Sequence, residues 1–183
     1  MQEKEIEKKL VYEGKLFQVW HAKVQLDTGE FAEREYLEHI TGSVAAIVLD
    51  EQKNVYLVRE YRTAAHEIQV HIPGGTFIPS EESPEAAIER EVREEIGIRP
   101  RQIEKLFESH GGGSWFWPQH FFLCTDLLED PLPGDWDERI EIVRMSFKDY
   151  LQKSFENTDS RFGDFKAAIL VAKKLGLLDI RTK

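Results

Sequence analysis

The stretch "SPEAAIEREVREEIGI", residues 83–98, decides the fold that the sequence predicts. A hydroxyl residue followed by proline is a typical helix start, and glycine is typical just past a helix end; Ser83, Pro84 and Gly97 stand at these places. Apolar residues recur every four positions between them, at Ile88, Val92 and Ile96. The stretch therefore predicts one amphipathic helix whose apolar stripe faces the core.

The same helix carries a cluster of acidic residues on one side. Glu91, Glu94 and Glu95 are spaced i, i+3 and i+4, so they share one arc of the helix surface. Their carboxylates repel each other, and a hard divalent cation such as Mg²⁺ or Mn²⁺ would relieve that repulsion. The alternative is a solvated face neutralised by Arg90 and Arg93. These residues alone leave both interpretations open.

Segments with the composition of strands lie on both sides of this helix. The predicted strands are residues 15–26, 31–40, 43–50, 55–61 and 66–75 before it and residues 103–109, 119–127 and 139–147 after it. Residues 148–155 and 164–178 are predicted as closing helices, and residues 110–118 and 126–138 as loops. This order is typical of the α/β (α+β) class, with a mixed β-sheet covered by helices.

Composition narrows the classes of partner. The chain has 34 acidic and 24 basic residues, a net charge of -10, which argues against a nucleic-acid partner. Cys124 is the only cysteine, so no intrachain disulfide can form, and this is typical of a reducing compartment. The first ten residues are charged and no apolar run is long enough to span a bilayer. We therefore expect a cytoplasmic protein with no signal peptide and no membrane partner.

A longer stretch, "IPGGTFIPSEESPEAAIEREVREEIGI", resembles the signature box of the Nudix hydrolases. That box is glycine, five residues, glutamate, seven residues, then Arg-Glu-aliphatic-any-Glu-Glu-any-Gly-aliphatic. The second half matches at every fixed position, from Arg90 to Ile98, and Glu82 lies at the right distance before it. Gly75 is one residue too far from Glu82, which indicates an inserted residue and makes Glu81 a rival for the same place. The resemblance implies a Nudix-type α/β/α sandwich with an N-terminal β-hairpin extension.

The resemblance also implies a metal site and the residues that support it. Its Mg²⁺ ligands, with Mn²⁺ as a possible substitute, would be the carbonyl oxygen of Gly74 and the carboxylates of Glu91, Glu94 and Glu95, with Glu94 binding directly or through water. Arg90 would hold Glu91 in place by a charge-assisted bond, and Glu82 would support the array by hydrogen bonding. A bound cation would screen the charge of a diphosphate and help make hydroxide from water.

A late carboxylate from a loop is a further feature that these enzymes often have. The segment "PGDWDERIEIV" offers Asp135, Asp137, Glu138 and Glu141. We select Glu138 because it lies two residues before the apolar strand that begins at Ile140; it would bind metal or take the proton from water. The alternative is a solvated loop carboxylate.

Three further segments, "VYEGKLFQV", "VYLVREYR" and "IPGG", resemble the ADP-ribose pyrophosphatase branch, which hydrolyses nucleoside diphosphate sugars such as ADP-ribose or GDP-mannose. By that likeness Arg62 contacts phosphate, and Phe17 and Arg34 fall where the nucleoside pocket is expected. Trp136 is a candidate for stacking on the base, and Trp115 and Trp117 are expected near the mouth of the same pocket. Members of the branch are commonly homodimers, so residues 1–42 are predicted as a dimerising strand extension and residues 43–183 as the Nudix domain.

The sequence departs from the branch at one position and leaves other functions open. His71 stands where the branch usually has a glutamate, and it is interpreted here as an ordinary strand residue. The alternatives are hydrolysis of nucleoside triphosphates or dinucleoside polyphosphates, or a non-catalytic nucleotide-binding Nudix protein. The "HGGG" of residues 110–113 resembles an oxyanion-hole motif, but the chain lacks the Gly-x-Ser-x-Gly that such enzymes need.

Overall fold

The fold is described from a computed structural model, which covers residues 2–136, 138–156 and 162–178. Its elements, in chain order, are β1 (Glu3–Glu13), β2 (Phe17–Leu26), β3 (Phe31–His39), β4 (Gly42–Leu49), β5 (Asn54–Arg62), β6 (Glu67–His71), β7 (Gly74–Phe77), α1 (Pro84–Ile96), β8 (Ile98–Gly112), β9 (Trp115–Glu129), β10 (Glu141–Ser146), α2 (Phe147–Glu156) and α3 (Phe162–Lys174). The predicted acidic helix is confirmed as α1.

The strands form one curled, mixed sheet. Its order is β1-β2-β3-β9-β4-β5-β10, with β6 paired to β5, β7 to β4 and β8 to β9. Strand β9 runs parallel to β3 and β4, and the other pairs are antiparallel. The predicted mixed sheet is therefore confirmed.

Helices cover both faces of the sheet, because successive side chains of its central strands point to opposite faces and those on both faces are apolar. Along β9, Phe122 and Cys124 pack towards α1, whereas Phe121 and Leu123 pack towards α2 and α3. Ile88 of α1 is fully buried against the first of these clusters, and burying a side chain of this size stabilises the fold by roughly 1.5–3 kcal/mol. The predicted sandwich of helices around a sheet is confirmed. Within the described ranges, no helix is both long and apolar enough to cross a membrane.

The N-terminal strands form a three-stranded antiparallel meander within the predicted extension of residues 1–42. Strand β1 was not predicted, because its eleven residues are mostly charged and all of them are exposed. It is held by backbone pairing with β2 and by ion pairs such as Glu3 with Arg34 and Lys8 with Glu38. Charge pairing across strands therefore replaces the apolar alternation on which strand prediction depends.

The prediction that residues 110–118 form a loop is wrong. Strands β8 and β9 form one long hairpin that turns at residues 113–114, so most of the predicted loop is paired backbone. Gly111, with φ +79°, lies at an irregularity in the pairing, and Gly113, with φ +65°, forms the turn. These glycines supply left-handed backbone rather than a flexible loop.

Candidate active site

Helix α1 begins and ends as its sequence predicts. The Ser83 hydroxyl accepts a 3.2 Å hydrogen bond from the Ala86 N–H, which satisfies one of the open donors of the first turn. Gly97 adopts φ 73° and its N–H donates to the Val92 carbonyl. Since the apolar stripe of the helix is buried, its acidic arc is fixed in orientation and borders the loop that leads into β7.

Two glycines bring that loop against the acidic arc. The Gly74 N–H donates a 2.8 Å hydrogen bond to Oε2 of Glu95. A Cβ atom on Gly74 would lie 2.1 Å from the Val44 carbonyl oxygen, and a Cβ atom on Gly75 would lie 2.4 Å from the Glu91 carboxyl carbon. A side chain on Gly74 would meet fixed backbone, whereas a side chain on Gly75 would displace the Glu91 carboxyl group. This close approach is the physical reason for two adjacent glycines in the "IPGG" segment.

Arg90 contacts three carboxylates at once. Its NH1 nitrogen lies 2.8 Å from Oε1 of Glu91 and 2.9 Å from Oε2 of Glu94, and its NH2 nitrogen lies 2.8 Å from Oε1 of Glu82. Glu82 is therefore the residue that the structure brings to Arg90, while its rival Glu81 is exposed. A planar guanidinium with several carboxylate partners orients them far better than a lysine would.

Burial and mutual repulsion make this cluster electrostatically costly. Burial raises the pKa of Glu91 to about 7, with the charges of Glu94 and Glu138 acting in the same direction and Arg90 opposing them. Burial likewise raises the pKa of Glu95 to about 8, opposed by the Gly74 N–H and reinforced by nearby carboxylates, including that of Glu138. A cation placed among these oxygens would favour their charged forms.

The donor set suits a hard divalent cation. Within residues 2–136, 138–156 and 162–178, no three His, Cys, Asp or Glu side chains already converge as a metal site. The carboxylates of Glu91 and Glu94 are turned towards Arg90 instead, and that of Glu95 towards the Gly74 N–H. All the available donors are nevertheless oxygens, most of them anionic, and two are buried carboxylates with raised pKa values. Such donors fit Mg²⁺ or Mn²⁺ and not a soft metal.

The loop before β10 carries Glu138 towards the acidic arc. The Leu132 N–H donates to the Arg93 carbonyl at 3.1 Å, which fastens this loop to the end of α1. The Glu138 N–H donates to the Asp135 carbonyl at 3.2 Å, and the Glu138 charge reaches Glu91 and Glu95, as described above. Of the other late acids, Glu141 contacts Arg59 at 3.5 Å, and Asp137 lies outside the described residues.

Arg62 belongs to a network whose other members the sequence analysis did not select. Its NH2 nitrogen lies 2.5 Å from Oε1 of Glu60, and Nε2 of His71 lies 2.7 Å from the same oxygen. Glu60 and Arg62 are two apart on β5, so their side chains share a face. That spacing within "REYR" was the available signal, whereas the pairing of β6 with β5 that brings in His71 is a tertiary feature.

The predicted nucleoside residues do not share one surface. The β2–β3 register pairs Phe17 with His39 and Ala22 with Arg34, so Phe17 and Arg34 point to opposite faces of the meander. The Phe17 ring lies 5.7 Å from the His39 ring, whereas Arg34 is paired with Glu3. Arg34 lines a cavity of about 500 Å³ beside the turn of the β8–β9 hairpin.

The three loop tryptophans that were expected to lie together do not share one site. The ring centroids of Trp115 and Trp117 are 6.0 Å apart, and Trp117 stacks on His39 at 4.3 Å. Trp136 is 94% exposed in the loop before β10, and the ring contacts of the described residues do not join it to the other two. Trp115 lines the same cavity as Arg34, so it is better placed than Trp136 to share a ligand with that arginine.

Comparisons with known proteins agree with this geometry. The NUDIX domain family model matches residues 39–164. The chain is 29% identical over 157 residues to the ADP-ribose pyrophosphatase of Bacillus subtilis, covering 83% of each protein. It is 30% identical over 148 residues to the GDP-mannose pyrophosphatase of Klebsiella pneumoniae, covering 75% of this chain and 72% of that protein. It is 27% identical over 174 residues to the methanol dehydrogenase activator of Bacillus methanolicus, covering 93% and 91%.

A solved structure shares the fold over nearly the whole length. It is described as an ADP compounds hydrolase, and it superposes with a TM-score of 0.85, covering 96% of this chain and 95% of that one at 21% identity. The predicted fold class is confirmed by this match as well as by the sheet and helices themselves. Because the family model spans most of the chain and includes the whole acidic helix, this protein belongs to the Nudix family.

Proposed function

We propose that this protein hydrolyses the diphosphate linkage of nucleoside diphosphate sugars, giving a nucleoside monophosphate and a sugar phosphate. The observation that carries the proposal is the acidic arc of α1, buried against the Gly74–Gly75 loop and held by Arg90. Two of the similar proteins are named as an ADP-ribose pyrophosphatase and as a GDP-mannose pyrophosphatase, and these compounds are the first substrates to test.

The proposed cofactor is Mg²⁺, with Mn²⁺ as a substitute. Its ligands would be the Gly74 carbonyl oxygen and the carboxylates of Glu91, Glu94, Glu95 and Glu138. When bound, such an ion neutralises the diphosphate and lowers the pKa of a water molecule. Without a dication, Glu91 and Glu95 repel a diphosphate whenever they are ionised, that is, above their raised pKa values of about 7 and about 8.

Each protein residue then has a defined task. Arg90 holds the carboxylates of Glu91 and Glu94 in place, and Glu82 in turn holds Arg90. Glu138 is proposed to accept the proton of the attacking water, because its charge reaches both Glu91 and Glu95 from a separate loop. As the water oxygen bonds to one phosphorus, the bond from that phosphorus to the bridging oxygen breaks. Arg62 is proposed to contact the phosphate.

The nucleoside end of the substrate is assigned to the meander. A cavity of about 500 Å³ lined by Arg34 and Trp115 has the size of a small-ligand pocket. Phe17 lies on the other face of the meander, so it meets the same nucleoside only if a second copy of the chain supplies it. A homodimer formed through residues 1–42 would bring the two residues to one nucleoside. Trp136, on its exposed loop, is proposed to stack on a base entering from solvent.

A substrate panel tests this function. ADP-ribose, GDP-mannose, a nucleoside triphosphate and a dinucleoside polyphosphate would each be incubated with the protein and Mg²⁺, and products separated by anion-exchange chromatography. The expected products are AMP with ribose 5-phosphate, or GMP with mannose 1-phosphate. Turnover of the triphosphate or the polyphosphate alone would assign a different Nudix activity, and binding without turnover of any compound would indicate a non-catalytic protein.

A further inference from the structure

We infer that His71 and Glu60 are positioning residues, which together hold the Arg62 guanidinium in the orientation that receives the substrate's phosphate. This inference rests on the proposed function and extends it to two residues outside the signature box. It also gives a task to His71, which the sequence analysis treated as an ordinary strand residue.

The contacts form a chain that converges on one oxygen. Oε1 of Glu60 lies 2.5 Å from NH2 of Arg62 and 2.7 Å from Nε2 of His71. The two nitrogens themselves are 3.1 Å apart. A carboxylate oxygen shared by a guanidinium and an imidazole fixes the direction of both, and charge-assisted contacts of this length are among the stronger hydrogen bonds in proteins.

The imidazole is itself anchored to the loop that serves the acidic arc. His71 is only 4% exposed, and its Nδ1–H donates a 2.9 Å hydrogen bond to the Ile72 carbonyl oxygen. Two residues after Ile72, the Gly74 N–H donates to Glu95. Because Pro73 lies between them and the Pro73 carbonyl accepts a 2.9 Å hydrogen bond from Ala46, this short segment is fixed to β4. Any movement of His71 is therefore coupled to the loop beside Glu95.

Exposure makes Arg62 the member of this network that can contact a ligand. Glu60 is mostly buried, whereas the Arg62 side chain is about one-third exposed and so accessible to a ligand. Arg62 and His71 both contact Glu60, so its negative charge faces a guanidinium and an imidazole rather than only the other carboxylates. An arginine side chain that is already held in one orientation loses less conformational entropy when it binds a phosphate.

A purely structural role for His71 is the competing explanation. His71 pairs with Val58 in the β5–β6 ladder, and filling that buried place is a packing task that does not involve Arg62. The two explanations differ in one respect. A positioning role requires the effect of a His71 substitution on anion binding to pass through Arg62, whereas a packing role requires a loss of stability that is independent of Arg62.

A double-mutant cycle on anion affinity separates them. The probe is inorganic pyrophosphate in the presence of Mg²⁺, with affinity measured by calorimetry for the wild type, His71→Ala, Arg62→Ala and the double variant. We expect each single substitution to weaken pyrophosphate binding by about tenfold, within the range for hydrogen bonds to charged groups, and the double variant to bind no more weakly than either. Mn²⁺ affinity, read by electron paramagnetic resonance, should stay within about twofold of the wild type if the metal ligands are unaffected.

Two further variants keep the test decisive. Glu60→Gln changes the charge at nearly constant volume, and it should reproduce the loss even if His71→Ala does not fold. Val70→Ala, on the same strand but half-exposed on its other face, is the matched control and should leave pyrophosphate binding unchanged. Unchanged pyrophosphate affinity in both His71→Ala and Glu60→Gln would overturn the inference, and so would additive effects of His71→Ala and Arg62→Ala.

The same experiment distinguishes failure of this inference from failure of the proposed function. Coupled losses of pyrophosphate affinity in a protein that turns over no nucleotide sugar would retain the positioning role and reject the function. Turnover of ADP-ribose with no coupling between His71 and Arg62 would retain the function and reject the positioning role. A wild-type protein that does not bind pyrophosphate at all would reject the positioning role.

Discussion

The backbone N–H of Gly74 donates a 2.8 Å hydrogen bond to Oε2 of Glu95, which joins the end of the "IPGG" segment to the acidic arc of α1 across 21 residues of sequence. The same peptide segment would present the Gly74 carbonyl oxygen that the metal proposal requires. Helix and loop therefore form one unit, and changes in either should affect metal binding.

Gly75→Ala should reduce activity with little loss of fold. A methyl group there would lie 2.4 Å from the Glu91 carboxyl carbon, so Glu91 must move away from its present place. A displacement of about 1 Å at a reacting centre can lower the rate by about 10²-fold. The measurement is kcat with ADP-ribose, beside Tm. Wild-type activity in Gly75→Ala would contradict the close-approach argument.

Glu91→Gln and Glu95→Gln should each abolish turnover while the protein stays folded. Either change removes a proposed metal ligand but keeps the side-chain volume. It also removes a charge whose burial, together with repulsion from neighbouring carboxylates, raises the pKa. Thermal unfolding in EDTA should therefore give a Tm no lower than that of the wild type. Wild-type kinetics in either variant would show that the residue is not a ligand.

Arg90→Lys and Glu82→Gln should both weaken metal binding without removing a ligand. Arg90 holds Glu91 and Glu94, and Glu82 holds Arg90. Loss of such supporting contacts typically lowers metal affinity or activity by about 10–100-fold. Mn²⁺ titration followed by electron paramagnetic resonance measures the change. Glu81→Gln is the control, because Glu81 is exposed; if it had the larger effect, Glu81 and not Glu82 would occupy the box position.

The stability of the metal-free protein should fall as pH rises from about 4.5 to about 8. Glu91 and Glu95 have pKa values near 7 and 8 when folded, against an ordinary value of 4.5. Between these limits the folded protein holds more protons than the unfolded chain, so the free energy of unfolding decreases with pH. Both carboxyl groups favour the folded state fully below pH 4.5, and that contribution is lost as pH passes their folded pKa values.

Urea unfolding in EDTA at pH 5.5 and at pH 8.5 measures this dependence. Mg²⁺ competes with protons for the same oxygens, so the stabilisation that Mg²⁺ provides should be larger at pH 8.5. The Glu91→Gln/Glu95→Gln double variant should show a smaller pH dependence. If the free energy of unfolding changed equally with pH in the wild type and in the double variant, other groups would control the pH dependence.

Glu138→Gln separates the two tasks proposed for that residue. If Glu138 takes the proton from water, kcat should fall while Mn²⁺ affinity stays unchanged, and the acidic limb of the pH–rate profile, where a general base becomes protonated, should change most. If it is a metal ligand, Mn²⁺ affinity should fall in parallel with kcat. Asp135→Asn, on the same loop and exposed, is the control variant. Unchanged kcat and Mn²⁺ affinity in Glu138→Gln would remove Glu138 from the site.

The acidic helix was predictable to the residue because its signals are local. Its cap, its closing glycine and its apolar period all lie within residues 83–98. Strand β1 was not predictable in the same way, because it is held by backbone pairing with β2 and by charged contacts with β3 rather than by burial. Residues 110–118, at the turn end of the β8–β9 hairpin, were mistaken for a loop because glycines that bend a paired strand look the same in sequence as those of an irregular loop.

Local sequence spacing predicts only the part of the site that lies on helix α1 and on the turn before it. Glu82, Arg90 and Glu91 come together because their spacing suits one helix and the turn before it. The pair of Glu60 and His71 depends instead on the register between β5 and β6, which no local pattern specifies. The separation of Phe17 from Arg34 likewise depends on strand register, since a shift by one residue would reverse the face of each side chain.

A crystal structure with Mg²⁺ and a non-hydrolysable ADP-ribose analogue tests the central claim most directly. The account predicts a cation bound by carboxylate oxygens of Glu91 and Glu95 at about 2.0–2.1 Å, the usual Mg²⁺ distance, and bridged to the diphosphate. A cation bound elsewhere, with the Glu91 and Glu95 carboxylates still held by Arg90 and the Gly74 N–H as they are here, would contradict it.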